Sequence, residues 1–419
     1  MELELSNVFM KIAQIDINYK SSSTGKIVSD LALGLQERNY STVVYFGRGC
    51  EASGSDVYKI ASELEVALHA LGTRVTGLTG IYSPLATHHL ITLLKKHRPN
   101  VVHLHDLHGY FLNIGELVEF LKLSKIPTVW TFHSEFMYTG KCGHSYECEK
   151  WKKVCYACPR LGDYPKSWYF DFTTHMFEKK RKLFEGFDDL ILTAPSHWLA
   201  NRMRESPILN GKQIVVVPNG LDIKVFFPRD PRELRAKLGL GAQKVVLSVG
   251  SDLLSNSKGG YWVFELAKRN PTIIFLMVGV KKQSKLAPEN VRQITSLHDQ
   301  NLLAEYYSIS DVFLLTSMKE TFSMVCAESL ACGTPIVGFE AGAPSEVAPQ
   351  GFGNFVPYGD LELLNRSLIN MLSSTAKMSK DSLRFKKFAH KRYSKDVMVD
   401  SFEDIYRQLT RDKELTDEN

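Results

Sequence analysis

Apolar segments of strand length alternate with helix-like segments along the whole chain, and this alternation most constrains the fold. It is typical of parallel sheets covered by helices. Because the pattern occurs twice, it predicts an α/β chain with two Rossmann-like, doubly wound parallel-sheet domains that face a cleft. The predicted strands are Phe9–Ile17, Ser41–Phe46, Asn100–Asp106, Pro127–His133, Asp189–Ala194, Lys244–Gly250, Thr272–Gly279, Asp311–Thr316 and Pro335–Phe339.

The same patterns predict the domain boundaries. Residues 1–9 precede the first strand and are expected to form a mobile extension. The first domain is predicted to cover residues 10–205 and the second residues 206–390, with Val215–Asp222 as the crossing segment. Residues 391–419 are expected to form a helix that packs back across the cleft and a polar tail. Ligands of such sheets bind beyond the carboxyl ends of the strands, so functional residues are expected there.

Charge and hydropathy exclude several classes of protein. The 419 residues contain no apolar run near the ~20 residues that a membrane helix needs, and the N-terminus lacks a signal-peptide pattern, so a cytoplasmic protein is expected. A formal net charge of +5 is too small to indicate a nucleic-acid partner. The basic clusters Lys95–Arg98 and Lys179–Lys182 are compatible with peripheral contact at the inner face of a membrane, or with solvated helix faces.

Two carboxylates flank the start of a predicted helix. Glu320 and Glu328 follow the apolar run Asp311–Ser317, and Gly333 ends the helix. A helix N-terminus offers unpaired N–H groups to an anion such as a diphosphate. Carboxylates beside it can accept hydrogen bonds from sugar hydroxyls. A nucleotide sugar presents both groups, although glutamates at this spacing also occur by chance.

Two other motifs are weak indications of dinucleotide binding and of metal binding. The stretch Gly47–Ala52 loosely fits a dinucleotide fingerprint, but it follows the second strand and no convincing helix begins there. Three histidines, His103, His105 and His108, could bind a metal. The strand alternation instead places His103 and His105 on one face, which favours packing or lining of the cleft.

Four cysteines form a separate cluster. Cys142, Cys148, Cys155 and Cys158 fall within seventeen residues, and a cytoplasmic setting argues against disulfides. Four thiolates could close a tetrahedral structural zinc site, with His144 as a substitute ligand. Free thiols in a loop are the alternative, because the spacing of the first pair is wider than zinc motifs usually have.

The string Ser317–Phe339, followed by Ala341–Val347, resembles the retaining glycosyltransferases of family 4, which have the fold called GT-B. The segment Trp130–Asp171 is similar to transferases that build bacterial surface polysaccharides, including those of the colanic-acid type. Further matching segments occur in the family's order along nearly the whole chain. They are Pro195–Leu199, Pro218–Asp222, Phe226, Lys258 with Gly259, Pro288–Val291 and Tyr306–Val312.

The resemblance implies transfer of a sugar from a nucleotide diphosphate sugar to a glycan or lipid-linked acceptor, with retention at the anomeric carbon and without a catalytic cofactor. By position, Glu328 would bind the ribose hydroxyls of the donor, and Glu320 would hold its sugar and diphosphate. Backbone groups would assist Glu320. They belong to Thr321, Phe322, Ser323 and Met324.

Three further positions match the family's active site. Lys258 would neutralise the diphosphate charge that develops in the transition state, a task suited to a compact ammonium. His133, at the end of a predicted strand of the first domain, would face the donor sugar. Thr24 and Gly25 match the loop that approaches the diphosphate from the first domain.

The chain also departs from the family at two places. Ser251 stands where the family usually has an arginine, so either Lys281 or Lys282 would assist Lys258, or the loop Ser251–Ser257 is rearranged. The segment Ser21–Gly25 replaces a glycine-rich loop. Two alternatives therefore stay open, namely a nucleotide-sugar 2-epimerase and a sugar-nucleotide-binding protein without turnover.

Overall fold

The computed structural model describes residues 10–49, 54, 56–295, 297, 299–374 and 379–417, so the predicted extension at 1–9 lies outside the described residues. The chain forms two compact units, Met1–Val217 with Met398–Asn419, and Pro218–Val397. The structure thus divides the chain after Val217 rather than after residue 205.

A parallel sheet forms the centre of the first unit. Its described strands are β1 (Lys11–Asp16), β2 (Ser41–Phe46), β3 (Val57–Lys59), β4 (Val101–Leu104), β5 (Thr128–Thr131), β6 (Leu190–Ala194) and β7 (Ile214–Val216). Their order is β3-β2-β1-β4-β5-β6-β7, and all neighbours are parallel. The strand order reverses next to β1, as in a doubly wound sheet.

A second parallel sheet forms the centre of the other unit. Its described strands are β8 (Val245–Val249), β9 (Ile274–Val278), β10 (Val291–Ile294), β11 (Val312–Leu315), β12 (Ile336–Phe339) and β13 (Gly353–Val356). Their order is β10-β9-β8-β11-β12-β13. The predicted α/β class with two parallel sheets is therefore confirmed.

The sequence patterns missed four strands, and these are the four sheet edges, β3, β7, β10 and β13. Each is three or four residues long and only partly buried. An edge strand is covered less completely than a central one, so it needs no continuous apolar run. This explains why the predicted crossing segment Val215–Asp222 begins inside β7, which pairs with β6.

Helices connect the strands and cover the sheets. In the first unit they are α1 (Ser23–Gln36), α2 (Glu63–Thr76), α3 (Pro84–His97), α4 (Ile114–Leu123), α5 (Thr173–Phe184) and α6 (His197–Glu205). In the second unit they are α7 (Arg232–Lys237), α8 (Gly260–Arg269), α9 (Gln300–Ile309), α10 (Met324–Ala331), α11 (Pro344–Val347), α12 (Leu361–Ser374) and α13 (Ser379–Tyr393). Helix α14 (Lys395–Asp417) ends the described chain. Among the described residues, none of the helices combines the length and apolarity needed to span a bilayer.

Residues of α14 complete the core of the first unit. A Cβ atom on Gly34 of α1 would lie 2.6 Å from Cγ2 of Val399, so the two helices touch where only glycine fits. The hydroxyl of Tyr406 lies 2.6 Å from Nδ1 of His103, and both side chains are fully buried. The C-terminal segment is therefore part of this unit's interior.

Packing accounts for the histidines of β4. His103 also contacts Thr131 through Nε2, at 2.7 Å, and stacks on His105 with ring centroids 4.1 Å apart. Burial lowers the pKa of both histidines well below the usual value. The two rings are thus neutral members of a buried polar network, as the packing interpretation predicts.

The basic cluster Lys179–Lys182 is not a uniformly solvated face. Lys180 is 2% exposed, and its ammonium donates to the backbone carbonyls of Phe136 and Thr139. Arg181 forms ion pairs with Glu178 and Glu185. The expectation that the whole cluster faces solvent or lipid is therefore wrong for Lys180, whereas the Arg181 side chain is 42% exposed.

We expect Tyr406→Phe to destabilise the protein by ~1–3 kcal/mol, because the buried ring nitrogen of His103 loses its hydrogen-bond partner. Chemical denaturation of the full chain measures this difference. Tyr169→Phe makes the same chemical change on a side chain that is 73% exposed, and it should alter stability by less than ~0.5 kcal/mol. Equal effects of the two substitutions would contradict a stabilising role for the His103 contact.

Candidate functional site

The loop between β11 and α10 holds Glu320 by its backbone. The Glu320 N–H donates to the carbonyl of Ala341 at 2.7 Å, and the Glu320 carbonyl accepts from the N–H of Ala343 at 3.1 Å. These bonds form a short parallel bridge between Glu320 and Gly342, which lies beyond β12. The predicted carboxylate is therefore fixed at the carboxyl edge of the second sheet.

Lys258 lies beside Glu320. Its Nζ atom is 2.6 Å from Oε1 of Glu320, and the two side chains are 28% and 17% exposed. Lys258 immediately precedes Gly259, which caps α8 in the left-handed region at φ 66°. The structure thus brings together two of the predicted site residues, which are 62 positions apart in sequence.

Close backbone packing positions Lys258. The hydroxyl of Thr316, just after β11, donates to the Lys258 carbonyl at 2.8 Å. A Cβ atom on Gly259 would lie 2.4 Å from the Thr316 carbonyl oxygen, so a side chain does not fit there. The start of α8 is therefore held against the end of β11, next to the loop that carries Glu320.

Helix α10 begins at Met324, after Ser323 in the left-handed region at φ 81°. The Ser323 side chain makes no capping hydrogen bond to the helix backbone. Phe322 is 3% exposed and packs edge-to-face on Tyr393 at 5.5 Å, whereas Thr321 is half-buried. The Phe322 side chain, which belongs to the predicted binding segment, thus anchors the turn in the core.

Glu328 is buried on α10, with 8% of its surface exposed. Its Oε2 atom accepts a hydrogen bond from the hydroxyl of Tyr307, on α9, at 3.0 Å. Burial, and then the Glu328 charge, raise the pKa of Tyr307 well above its usual value, so this hydroxyl remains a donor. Sequence reasoning did not find Tyr307, which orients the carboxylate.

Near Ser251, where the resemblance predicts an arginine, two other charged residues form an ion pair. Lys281 Nζ lies 3.1 Å from Asp252 Oδ2, and the lysine side chain is 71% exposed. Gly250 and Gly279, which follow β8 and β9, approach so closely that a Cβ on Gly279 would overlap the Gly250 carbonyl. Lys281 is therefore a solvent-facing partner of Asp252 next to this tight backbone contact.

The first unit gathers polar side chains at the carboxyl edge of its own sheet. His133, beyond β5, is 8% exposed, and its Nε2 lies 3.2 Å from Nδ1 of His105. Asp16 ends β1, and its Oδ1 accepts the N–H of Asp106 at 3.2 Å. Asp106 in turn accepts a hydrogen bond from the hydroxyl of Ser134. Sequence reasoning placed His133 here and missed the two aspartates.

Burial shifts the pKa values of two groups in this cluster. Desolvation first, and the neighbouring Asp106 carboxylate second, raise the pKa of Asp16 to about 8. Burial also lowers the pKa of His133. Near neutral pH the fold therefore favours the uncharged form of both groups. The sequence signal was available, because Asp16 and Asp106 are acidic residues that close apolar runs.

Thr24 and Gly25 lie in the first turn of α1, after β1. Ser22 caps the helix by accepting the Gly25 N–H at 3.0 Å, and its hydroxyl lies 3.2 Å from that of Thr24. A Cβ atom on Gly25 would lie 2.8 Å from the Asn18 carbonyl oxygen. Glycine is therefore required by the local turn itself, whatever ligand approaches it.

The four clustered cysteines lie in the segment between β5 and α5. Cys142 is buried, Cys148, Cys155 and Cys158 are partly buried, and all four are free thiols that line one small cavity.

Comparison with known proteins identifies two adjoining family segments. Residues 24–225 match the model described as Glycosyltransferase Family 4, and residues 230–392 match the model described as Glycosyl transferases group 1. The chain is a group 1 glycosyltransferase of the family 4-like type. The second match contains Lys258, Glu320 and Glu328, and the first contains His133.

Relatives and solved structures agree with this assignment. The putative colanic acid biosynthesis glycosyl transferase WcaC of Escherichia coli K12 is 24% identical and covers 96% of this chain and 100% of its own. The N-acetyl-alpha-D-glucosaminyl L-malate synthase of Bacillus anthracis is 26% identical over 53% of this chain and 60% of its own.

Two solved structures show the same fold. The sucrose-phosphate synthase of Thermosynechococcus elongatus aligns with a TM-score of 0.72 at 18% identity, over 96% of this chain and 99% of that one. HepE of Anabaena, solved with UDP-glucose, aligns with a TM-score of 0.65 at 15% identity, over 96% and 100%. The predicted GT-B fold is therefore confirmed.

We expect the stability of the glycosyltransferase to depend on the protonation of Asp16. The folded pKa of about 8 exceeds the unfolded value of 3.8, so this group's stabilising contribution is complete below about pH 4 and is lost as pH rises towards 8. In Asp16→Asn that loss is absent. Denaturation at several pH values should show that the free energy of unfolding of the variant, relative to that of wild type, rises by about 1.4 kcal/mol per pH unit across this window.

The slope, rather than the absolute stability, is the quantity to compare. Asp188→Asn alters an exposed carboxyl of the same unit and should follow the wild-type profile. Parallel profiles for wild type and Asp16→Asn would contradict a buried, protonated Asp16.

Proposed function

We propose that this glycosyltransferase moves a sugar from a nucleotide diphosphate sugar to a glycan or lipid-linked acceptor, with retention at the anomeric carbon, in the synthesis of a surface polysaccharide. The observation that carries the proposal is the Lys258–Glu320 pair at 2.6 Å, between the N-terminal ends of α8 and α10. A helix N-terminus carries unpaired N–H groups and partial positive charge, and Lys258 and Glu320 each lie just before one.

This arrangement suits departure of a diphosphate. Cleavage of the sugar–phosphate bond leaves negative charge on the diphosphate, which Lys258 and the helix N-termini would stabilise without reorganisation. Glu320 would hold the lysine in place and accept hydrogen bonds from the sugar. Glu328, oriented by Tyr307, would accept hydrogen bonds from the ribose.

Retention is proposed to occur on one face of the sugar. If the leaving phosphate accepts the proton of the acceptor hydroxyl, no carboxylate nucleophile is needed, unlike in retaining hydrolases with two carboxyls about 5 Å apart. Proton NMR of the first product formed from an α-linked donor tests this step. A β-linked product would show inversion and overturn this part of the proposal.

The name of the E. coli relative supports a surface-polysaccharide role, and the UDP-glucose complex of HepE supports a nucleotide sugar as donor. A panel of nucleotide sugars should contain one that raises the melting temperature, since a ligand at one hundred times its Kd adds ~2.7 kcal/mol. Activity with that donor, with and without lipid-linked acceptors, separates the alternatives. Acceptor-dependent release of nucleotide diphosphate supports a transferase.

Acceptor-independent conversion of the donor sugar would instead indicate a 2-epimerase. Binding without any turnover across the acceptor panel would indicate a sugar-nucleotide-binding protein. Cell fractionation and co-sedimentation with anionic vesicles test the proposed cytoplasmic site of action and membrane contact. His133→Ala, assayed with the same donor, tests the proposed active-site role of that histidine.

Glu328→Ala should weaken binding of the nucleoside diphosphate by ~1–3 kcal/mol, which is about five- to 150-fold, because the ribose hydroxyls lose a buried acceptor. Isothermal titration calorimetry measures this change. Glu265→Ala, on the exposed side of α8, is the control and should bind as wild type does. Unchanged affinity in a folded Glu328 variant would rule out the ribose assignment.

Lys258→Ala should lower turnover by roughly two orders of magnitude, by loss of one preorganised charge at the leaving diphosphate. Lys268→Ala removes a similar lysine, paired with Glu265 on the same helix, and should retain activity. Glu320→Gln should reduce kcat more than donor affinity. Near-native turnover of the Lys258 variant would show that other groups hold the diphosphate.

A further inference from the structure

The four cysteines converge although they occupy different parts of an irregular segment. Between β5 and α5 the described chain forms only short 3-10 turns, at Phe136–Tyr138 and Lys150–Lys152. Cys142, Cys148, Cys155 and Cys158 nevertheless line one cavity of about 10 Å³, roughly the space of one water-sized sphere. The four cysteines therefore border one small shared space.

Local hydrogen bonds hold three of the four sulfurs. The side chains of Cys142 and Cys158 share a hydrogen bond, and the Arg160 N–H donates to the Cys158 sulfur. The Gly140 N–H donates to Sγ of Cys155 at 3.2 Å, and a Cβ on Gly140 would lie 2.8 Å from the Cβ of Cys155. These bonds fix the positions of Cys142, Cys155 and Cys158 within the segment.

Two buried lysines lie beside the cysteines. Lys141 is 3% exposed and its ammonium donates to the carbonyls of Arg160, Leu161 and Asp163. Lys180 is 2% exposed, donates to the carbonyls of Phe136 and Thr139, and lies 3.4 Å from the centroid of the Phe136 ring. Neither forms an ion pair with a carboxylate among the described residues. Both are close enough to Cys142 for its charge to act on them.

Buried cations are costly unless negative charge compensates them. A zinc ion with four thiolates carries a net charge of −2, which would balance two ammonium groups. Without such a charge, burial favours the neutral amine, because desolvation lowers the pKa of both lysines, that of Lys180 to about 7. His144 is not among the residues that line the cavity, which favours four sulfur ligands over three sulfurs and a nitrogen.

We propose that Cys142, Cys148, Cys155 and Cys158 bind one zinc ion that stabilises the segment between β5 and α5 of the first unit. In the described residues no set of three or more His, Cys, Asp or Glu side chains is already spaced to hold an ion, so binding must draw the partly buried sulfurs inward. A closed four-sulfur site leaves no position for substrate, so the role is structural.

The first experiment uses the wild-type full chain, purified without chelator. Elemental analysis should give close to one zinc per chain, and cobalt substitution should produce the absorption bands of tetrahedral thiolate coordination. Removal of the metal with a chelator should lower the melting temperature. Because ligand thiols release protons on binding, zinc uptake should also weaken as pH falls.

The test variant combines Cys155→Ala with Cys158→Ala, and its control is the single substitution Cys326→Ala. Cys326 is a buried free thiol of the second unit, so it controls for loss of a cysteine as such. The double variant should lose the zinc, and the control should keep it. Neither measurement depends on sugar transfer, so the zinc proposal and the proposed function can fail separately.

Three results would overturn the proposal. Zinc well below one per chain, with all seven cysteines of the sequence reacting freely in the native protein, would leave a loop of free thiols. Fewer than seven reactive thiols in the unfolded, unreduced protein would indicate a disulfide instead. Full zinc retained in the double variant would place the ion elsewhere. If the double variant does not fold, the wild-type metal content and cobalt spectrum still decide the question.

Discussion

The constraint on which the structure depends is the burial of parallel strands on both faces. Such strands use their backbone groups for pairing and their side chains for packing, so polar function is confined to their carboxyl ends. Asp16 ends β1, His133 follows β5, Lys258 follows β8 and Glu320 follows β11. Each unit therefore concentrates its polar groups at one edge of its sheet.

In the second unit, close backbone contacts fix the positions of the polar groups at the carboxyl ends of the strands. Gly259 lets α8 begin against the Thr316 carbonyl, and the bridge between Glu320 and Gly342 fixes the neighbouring loop. These backbone contacts hold the two chain segments that carry the charged side chains, so the lysine and the glutamate meet at 2.6 Å. A side chain at position 259 would separate the helix from the strand and thus the lysine from its partner.

The segment between β5 and α5, which carries the four clustered cysteines, is not organised by a sheet. It has little regular structure, and only a few of its side chains, such as Trp151 and Tyr138, enter the core of the first unit. Lys141 and Lys180 compensate by binding backbone carbonyls that no strand or helix satisfies. Buried ammonium groups are costly unless negative charge is close, which links the order of the segment to the proposed zinc site.

Residue patterns predicted the central strands because full burial requires continuous apolar runs. The four edge strands were missed because partial burial leaves no such run. The family resemblance predicted Lys258, Glu320 and Glu328 from the order of their motifs. It did not predict Tyr307, whose role depends on the packing of α9 against α10, or the Asp16–Asp106 pair, which parallel pairing of β1 with β4 creates.

The sequence by itself determined the α/β class, the two sheets and the residue types at the strand ends, because periodicity and local turns depend on near neighbours in the chain. Only the tertiary structure decided which of these residues meet. The Lys258–Glu320 pair, the convergence of four cysteines on one cavity and the pKa of Asp16 all depend on distances between distant segments and on burial. These distances, and the desolvation that accompanies them, arise only when the segments pack together.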